Sequence, residues 1–341
     1  MPVTLDFSCP LPLEPDTIQL AHGSGGRWMN YLLDRTILPA FHDGPSGERH
    51  DGAILDPTPG KLAVTTDSYV IRPLLFPGGD IGRLAVYGSV NDLAMCGARA
   101  QWLSVGLILE EGLPLEILRR VLASMAAAAK ETGVEIVTGD TKVVERGKGD
   151  GLYVNTTAIG RVLAPSLIAP SSVRAGDAIV INGDLGRHGI AVLSVREGLE
   201  FEGELASDLA PLWDPVDRLL DAGIDVHCLR DLTRGGLSSA LNEIAQTAGV
   251  GIEVRESAIP IIETVRGACE MLGLDPLYVA NEGRFAAFVP REQARAAAEI
   301  IGGPVIGRVV ASRPGTVLLE TALGVHRPLD MLSGEQLPRI C

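Results

Sequence analysis

Apolar and polar positions along this chain switch between two periods, near 2 and near 3.6. Leu62–Thr66 is a short β-branched run ending at Asp67, which predicts a strand with a carboxylate at its exit. Ile81–Gly97 is apolar at helical spacing, interrupted by Asn91 and Asp92, and Gln101–Glu110 predicts a second strand. Leu115, Leu118, Leu122, Met125 and Ala129 then recur as the stripe of an amphipathic helix, which Gly133 closes. Val134–Val137 predicts a third strand that delivers Thr138-Gly139-Asp140-Thr141-Lys142, and Leu152–Val162 a fourth.

Leu163–Gly176 mixes Pro165, Pro170, Ser171 and Ser172 without periodicity and reads as a linker. Beyond it the alternation resumes. A strand over Ala178–Asn182 is followed by a helix from His188 and others over Pro211–Ala222 and Gly236–Ala248. Strands near Ile252, Phe285, Val305 and Val317 complete the pattern. The chain of 341 residues exceeds what one core serves. The expected organisation is α/β, with domains over residues 1–162 and 163–331 and a mobile tail over 332–341 that ends on Cys341.

Composition narrows the classes of function. A formal charge of -14 leaves no basic stripe for nucleic acid. Nucleotide phosphates remain compatible with an acidic chain, because metal ions bridge carboxylates to phosphates. Cys9, Cys96, Cys228, Cys269 and Cys341 stand singly, without the C-x-x-C pairing of a zinc or redox centre, and their odd number argues against a disulfide framework. Neither a signal sequence nor a long uncharged apolar run is apparent, so a soluble, cytoplasmic protein is expected.

Three groups of residues carry candidate chemistry. Asp67, Asp92 and Asp140 lie in or beside apolar elements, where a carboxylate is costly unless paired or bound to metal. Magnesium with oxygen ligands would account for all three, although each alone also reads as a cap or turn residue. The glycine clusters His22-Gly23-Ser24-Gly25-Gly26 and Asn182-Gly183-Asp184-Leu185-Gly186 expose backbone N–H groups to which phosphate could bind, and equally read as turns. No Walker A loop occurs. Arg230-Asp231-Leu232-Thr233-Arg234-Gly235-Gly236 opens a helix, with Asp231 as a possible cap, and Ala280-Asn281-Glu282-Gly283-Arg284 offers Glu282 as a candidate base. The terminal Cys341 places a thiol on a tether able to enter a narrow site; a frayed end is the plainer alternative.

Taken together, Thr65-Thr66-Asp67-Ser68, Val90-Asn91-Asp92-Leu93-Ala94-Met95-Cys96-Gly97-Ala98, the Asp140 string and the Asp231 string resemble the nucleotide site of PurM-like ATP-using enzymes. With His22–Gly26, Ala280–Arg284 and Pro338-Arg339-Ile340-Cys341 added, the chain is similar to the hydrogenase maturation factor family HypE from about Ile18 to Cys341. The resemblance implies a two-domain PurM-like fold with a flexible C-terminal tail. It also implies a homodimer paired through its first domains, with ATP and magnesium held in a cleft between domains and subunits. The implied reaction dehydrates a carbamoyl group on the terminal cysteine to a thiocyanate. The carbamoyl comes from the carbamoyltransferase HypF, and the cyanide passes to iron on a HypC-HypD complex for the [NiFe]-hydrogenase site.

Carried over by resemblance, Asp67, Asp92 and Asp140 hold magnesium, with Asp231 an addition. Asn91 and the backbone of Gly23, Ser24, Gly25 and Gly26 contact phosphate, and Lys142 neutralises phosphate or the developing oxyanion. Glu282 removes the carboxamide proton, and Cys341 is the covalent carrier. His22 and His188 touch phosphate or act as structural hydrogen-bonding groups. The alternatives are another PurM-like ATP-dependent enzyme, such as a thiamine monophosphate kinase, or a non-catalytic maturation scaffold.

Overall fold

The computed structural model describes residues 15–24, 27–41, 53, 55–56, 59–199, 203, 205–331 and 339–341. Cys9, Gly25 and Gly26 lie outside the described residues. Helix α1 (Arg27–Leu32) runs through a π turn into α2 (Leu38–Phe41). The first sheet then begins with β1 (Leu62–Tyr69), and a small hairpin, β2 (Leu75–Phe76) and β3 (Gly79–Asp80), leads into α3 (Ile81–Met95). After these come β4 (Ala98–Glu110), α4 (Leu115–Thr132), β5 (Glu135–Val144) and β6 (Leu152–Val162).

The four long strands form one sheet in the order β1-β6-β4-β5, antiparallel except for the β4/β5 pair. Asp80 caps α3 by accepting from the backbone N–H groups of Gly82 and Arg83 at 2.8 and 3.1 Å. Gly82 admits α4 at close range, since a Cβ there would fall 2.3 Å from the Val121 carbonyl oxygen. Both helices cover one face of the sheet, where Leu84, Leu103, Leu118, Leu122 and Met125 are fully buried. The opposite face is open and exposes Leu62, Val64 and Ile108.

Two strands outrun their predicted lengths. β1 continues through Asp67 to Tyr69, and β5 carries Thr138–Lys142 within it instead of in a loop beyond it. Their ladders with β6 and β4 continue through these polar residues, so backbone pairing overrides local polarity.

The second half contains β7 (Asp177–Ile181), α5 (Arg187–Glu197), α6 (Trp213–Asp221), β8 (Cys228–Asp231) and α7 (Gly236–Ala248). It continues with β9 (Gly251–Arg255), α8 (Glu263–Leu272), β10 (Phe285–Pro290) and α9 (Ala294–Ile301). The strands β11 (Val305–Val310), β12 (Val317–Glu320) and β13 (His326–Pro328) close it. A mixed sheet of order β13-β12-β9-β11-β7-β10-β8 results, with α7 packed on one face and α6 and α9 on the other. The C-terminal end of α3 reaches across: Ala94 and Met95 share a core with Leu212 and Trp213. That contact brings Asp92 against the edge strand β8 and its terminal Asp231.

Candidate active site

Four carboxyl groups converge where α3, β1, β8 and the loop before β10 meet. Thr65 Oγ1 donates to Asp92 Oδ2 at 2.6 Å, and the Tyr69 hydroxyl donates to Asp67 Oδ2 at 3.1 Å. Asp231 pairs in register with Phe285, which places Glu282 three residues upstream of the shared ladder. Burial, and then the Asp231 charge, pushes Asp92 up to about 7. Burial raises Asp231 as well. Glu282 is held well above the usual carboxylate range, by burial first and then by the charges of Asp231, Asp208, Asp67 and Asp92. Glu282 Oε1 is buried without a hydrogen-bond partner. A carboxyl so raised is a strong base once ionised.

The chain's end lies in this place. Ile340 is buried in the first domain's core, and Cys341 packs partly against it. The backbone N–H of Val70 donates to the Cys341 carbonyl at 3.1 Å and that of Arg72 to the Arg339 carbonyl at 3.4 Å, so the tail tip runs antiparallel to the chain just after β1. Burial, with Glu282 as the next contributor, pushes the Cys341 thiol up to about 12. Ordering three residues costs roughly 3–6 kcal/mol of backbone freedom at about 1–2 per residue. Burying Ile340 returns only about 1.5–3 kcal/mol. The polar contacts of the tail must therefore supply the difference.

Asp140 and Lys142 stand elsewhere. Across the sheet, Asp140 lies opposite Gly106, which lies opposite Asn155, which lies opposite Ser68. Three strand spacings, about 14 Å, therefore separate β5 from β1 at this level. Residues aligned in such a row share a face, so Asp140 lies on the open face with exposed Asn155, whereas Thr65 and Asp67 face the helices. Asp140 is paired with Lys142 Nζ at 2.5 Å, and this contact draws its carboxyl below the usual range. Gly23 belongs to the same edge, because a Cβ there would fall 2.8 Å from the Val143 Cβ of β5. Ser24 Oγ donates to the Ala21 carbonyl at 2.8 Å.

The expected three-aspartate magnesium site is thus not assembled within one chain. Among the described residues no three His, Cys, Asp or Glu side chains stand close enough to hold a metal. Burial raises Asp92, Asp231 and Glu282, and the Asp231 charge adds to the rise of Asp92 and Glu282, a repulsion that a cation arriving with a ligand would relieve. Asn91 also differs from expectation. It is buried, its amide nitrogen donates to the Ala210 and Glu282 carbonyls at 3.0 and 3.3 Å, and its oxygen accepts from Leu212 N–H at 2.8 Å. That leaves Asn91 holding the Glu282 loop in place of a phosphate. His22 is buried too, with Nδ1 accepting from Gln19 N–H at 2.9 Å.

Asp208 carries no sequence signal, and His188, expected to touch phosphate or to act structurally, takes a structural hydrogen-bonding place. Asp208 is buried, accepts weakly from Glu282 N–H at 3.3 Å, and leaves Oδ2 without a hydrogen bond, 3.8 Å from Arg284 Nε. His188 is fully buried, with Nε2 2.8 Å from the Ile340 carbonyl and Nδ1 2.8 Å from Ser207 Oγ. A carbonyl only accepts, so Nε2 carries the proton and Ser207 donates to Nδ1.

Comparisons with known proteins identify the family and the fold. Residues 49–162 match the AIR synthase related protein, N-terminal domain, and residues 174–320 match the AIR synthase related protein, C-terminal domain. The chain is 49% identical over 339 residues to the carbamoyl dehydratase HypE of Azotobacter vinelandii, covering 97% of this chain and 99% of that protein. A crystal structure of the hydrogenase maturation protein HypE in complex with ATP superposes with a TM-score of 0.90 at 49% identity, over 94% of this chain and 99% of that one. The structure of a HypE-HypF complex is similar at 43% identity and a TM-score of 0.77, over 80% of this chain and 90% of that one.

Proposed function

The chain belongs to the HypE family of carbamoyl dehydratases, built on two AIR synthase related domains in a PurM-like fold, and from that premise we propose how its residues divide the work. It is an ATP-dependent enzyme of hydrogenase maturation that dehydrates a carbamoyl group to a nitrile. The group is carried on Cys341. The observation that carries this assignment is that His188 Nε2 holds the Ile340 carbonyl at 2.8 Å and stands 4.0 Å from Glu282 Oε1, a buried oxygen without a hydrogen bond, so the residue before Cys341 is seated next to the candidate base.

Hydroxide is a poor leaving group, so the carboxamide oxygen must first be activated. The carbamoyl oxygen attacks the γ-phosphorus of ATP in line, ADP departs, and one N–H proton is lost. Removal of the second N–H proton by Glu282, with cleavage of the C–O bond, expels inorganic phosphate and leaves the thiocyanate on the Cys341 sulfur. The desolvated setting of Glu282 suits it to this proton.

Asp67, Asp92 and Asp231 do not stand close enough to hold a metal by themselves, so they would contribute ligands to magnesium that arrives with the nucleotide and neutralises triphosphate charge. Asp140, Lys142 and the Gly23–Ser24 backbone lie on the far edge of the same sheet, and we assign them to the phosphate site of a neighbouring copy. The open sheet face, with Leu62, Val64 and Ile108 exposed, is the surface through which two copies would pair. HypF is the partner that loads the tail, as the related complex suggests, and a HypC-HypD complex is the acceptor of the cyanide. No helix among the described residues is long and apolar enough to cross a membrane, and we read the chain as acting in the cytoplasm.

Intact mass measurement after incubation with the carbamoyltransferase, carbamoyl phosphate and ATP tests the whole reading. The expected result is a carbamoylated chain that converts to a species lighter by one water. A chain that accepts the carbamoyl group and never loses water would overturn it.

A further inference from the structure

We propose that Asp150, Arg196 and His188 are positioning residues for dehydration, which together latch the last three residues across both domains so that Cys341 is presented to Glu282. The proposal rests on the functional reading above for its reaction, but not for its geometry.

Each carbonyl at the end of the chain is gripped. Arg196 Nη2 donates to the Arg339 carbonyl at 2.6 Å, His188 Nε2 to the Ile340 carbonyl at 2.8 Å, and Val70 N–H to the Cys341 carbonyl at 3.1 Å. The first two donors sit on α5 of the second domain, and Val70 follows β1 of the first. Arg196 also donates to the Arg72 carbonyl through Nε and Nη2, at 3.0 and 2.7 Å, and so ties the track to the tail.

The side chain of Arg339 is held as well, with 36% of its surface still exposed. Its Nη2 lies 2.5 Å from Asp150 Oδ2 and 3.2 Å from the Val70 carbonyl, and its guanidinium stands 6.0 Å from the Tyr153 ring centroid. Tyr153 donates its hydroxyl to the same carboxylate oxygen at 2.5 Å. Arg339 adopts φ +56°, a left-handed bend uncommon for a residue with a Cβ, and that bend directs Ile340 into the core while the guanidinium turns to Asp150. A frayed end would show none of these contacts.

The latch also matters to chemistry at the seat. Glu282 Oε1 is buried without a hydrogen bond, 4.0 Å from the His188 Nε2 that holds the Ile340 carbonyl, and a carbamoyl group on the Cys341 sulfur brings N–H donors that a free thiol arranges poorly and a nitrile lacks. Holding the loaded tail in place supplies that donor and aligns the proton to be removed. Once the nitrile forms, the acceptor is orphaned again and only the latch retains the tail.

Trypsin supplies a readout that does not depend on activity, because the bond after Arg339 is a trypsin site and the seat withholds both its side chain and its carbonyl. The full-length chain, before and after carbamoylation, is digested briefly, and loss of the Ile340-Cys341 dipeptide is followed by intact mass. Arg196→Met should raise this cleavage rate about tenfold, as expected for losing charged hydrogen bonds to two carbonyls, and Asp150→Asn about two- to fivefold, because its pair with Arg339 is partly exposed. In single turnover the same carbamoylated variants should dehydrate more slowly at saturating ATP, with the ATP concentration for half-maximal rate unchanged. Asp150→Glu should restore much of both properties. Cleavage at the wild-type rate in both variants would overturn the latch, and faster cleavage with an unchanged dehydration rate would overturn the positioning role. A parallel rise in the ATP requirement would point to general damage and also count against it. If the wild-type chain never dehydrates, the functional reading fails, while the protection of Arg339 from trypsin still judges the latch.

Discussion

The two edges of the first-domain sheet treat their carboxylates in opposite ways. At the β1 edge, Asp92, Asp231 and Glu282 are withdrawn from water beside one another and all are raised. At the β5 edge, Asp140 is exposed, satisfied by Lys142 and lowered. A group of buried, like-charged acids is stable only as long as something else neutralises it, whereas an exposed ion pair is already balanced and contributes little. The first edge is thus arranged to receive charge, and residues 339–341 are seated beside it. The second carries donors and a lysine facing outward, with nothing of its own chain to act on. The two groups of residues stand about three strand spacings apart within a protomer, and the proposed pairing of two copies would bring them together.

The sharpest way to break this contrast is to remove the substrate from the β1 edge. Cys341→Ala should abolish both carbamoyl acceptance and thiocyanate formation while the melting temperature stays close to wild type, because Ile340 keeps its place in the core. Carbamoylation of that variant, mapped by peptide mass to exposed Cys96, would remove the carrier role from the terminal thiol.

Glu282→Gln should come next in size. It keeps the shape of the side chain and removes the base, so ATP binding and carbamoyl acceptance persist while dehydration slows by roughly a hundred- to ten-thousand-fold. The carbamoylated chain should accumulate in the mass spectrum; thiocyanate forming at the normal rate would show that another group takes the proton.

A mixing experiment tests the two-edge argument itself. Asp92→Asn and Asp140→Asn should each be severely impaired alone, having lost one half-site apiece. If the halves meet between copies, mixing equal amounts lets the mixed dimers contain one intact site, and about a quarter of wild-type activity should return. No recovery, in subunits shown by light scattering to exchange, would mean that both residues serve the same chain.

The smallest predicted effect is on pH dependence. The seat favours the neutral thiol, whose pKa it raises from 9.0 to about 12. Seating is therefore unopposed below about 9 and is lost as pH rises toward 12, where the free tail is ionised and the seated one is not. Alkylation of Cys341 by iodoacetamide should be slow at pH 8, and Asp150→Asn should raise it several-fold and bring its titration nearer 9. Identical profiles in the two proteins would show that the thiol is not held by the latch.

Periodicity alone located most of the elements. The stripe from Leu115 to Ala129 became α4, and Gly133 closes it in a left-handed conformation at φ +69°. Strand ends were less legible. Thr138–Lys142 reads as a loop because its residues are polar, yet the ladder to β4 and the burial of Thr141 carry the strand through it. Local composition does not report which neighbour a backbone will pair with.

The candidate site divides in the same way. What the sequence by itself determined are the chemical types: the acidic residues Asp67, Asp92 and Asp231, the candidate base Glu282, and the thiol of Cys341, each set in a motif that resembles a family's site. Which of these meet was decided by the tertiary structure. Asp140 shares the aspartate pattern of Asp67 and Asp92, but strand order and the alternation of faces send it to the far edge. Asn91 sits beside Asp92 in sequence, yet helical spacing turns it inward to hold the Glu282 loop. His188, Arg196 and Asp150 acquired their roles only when two domains and the last three residues came together, over separations of 143 and 152 residues for the contacts Arg196 and His188 make with the tail. A motif records side-chain chemistry, which is local, whereas a site is a set of distances, and those are fixed by packing.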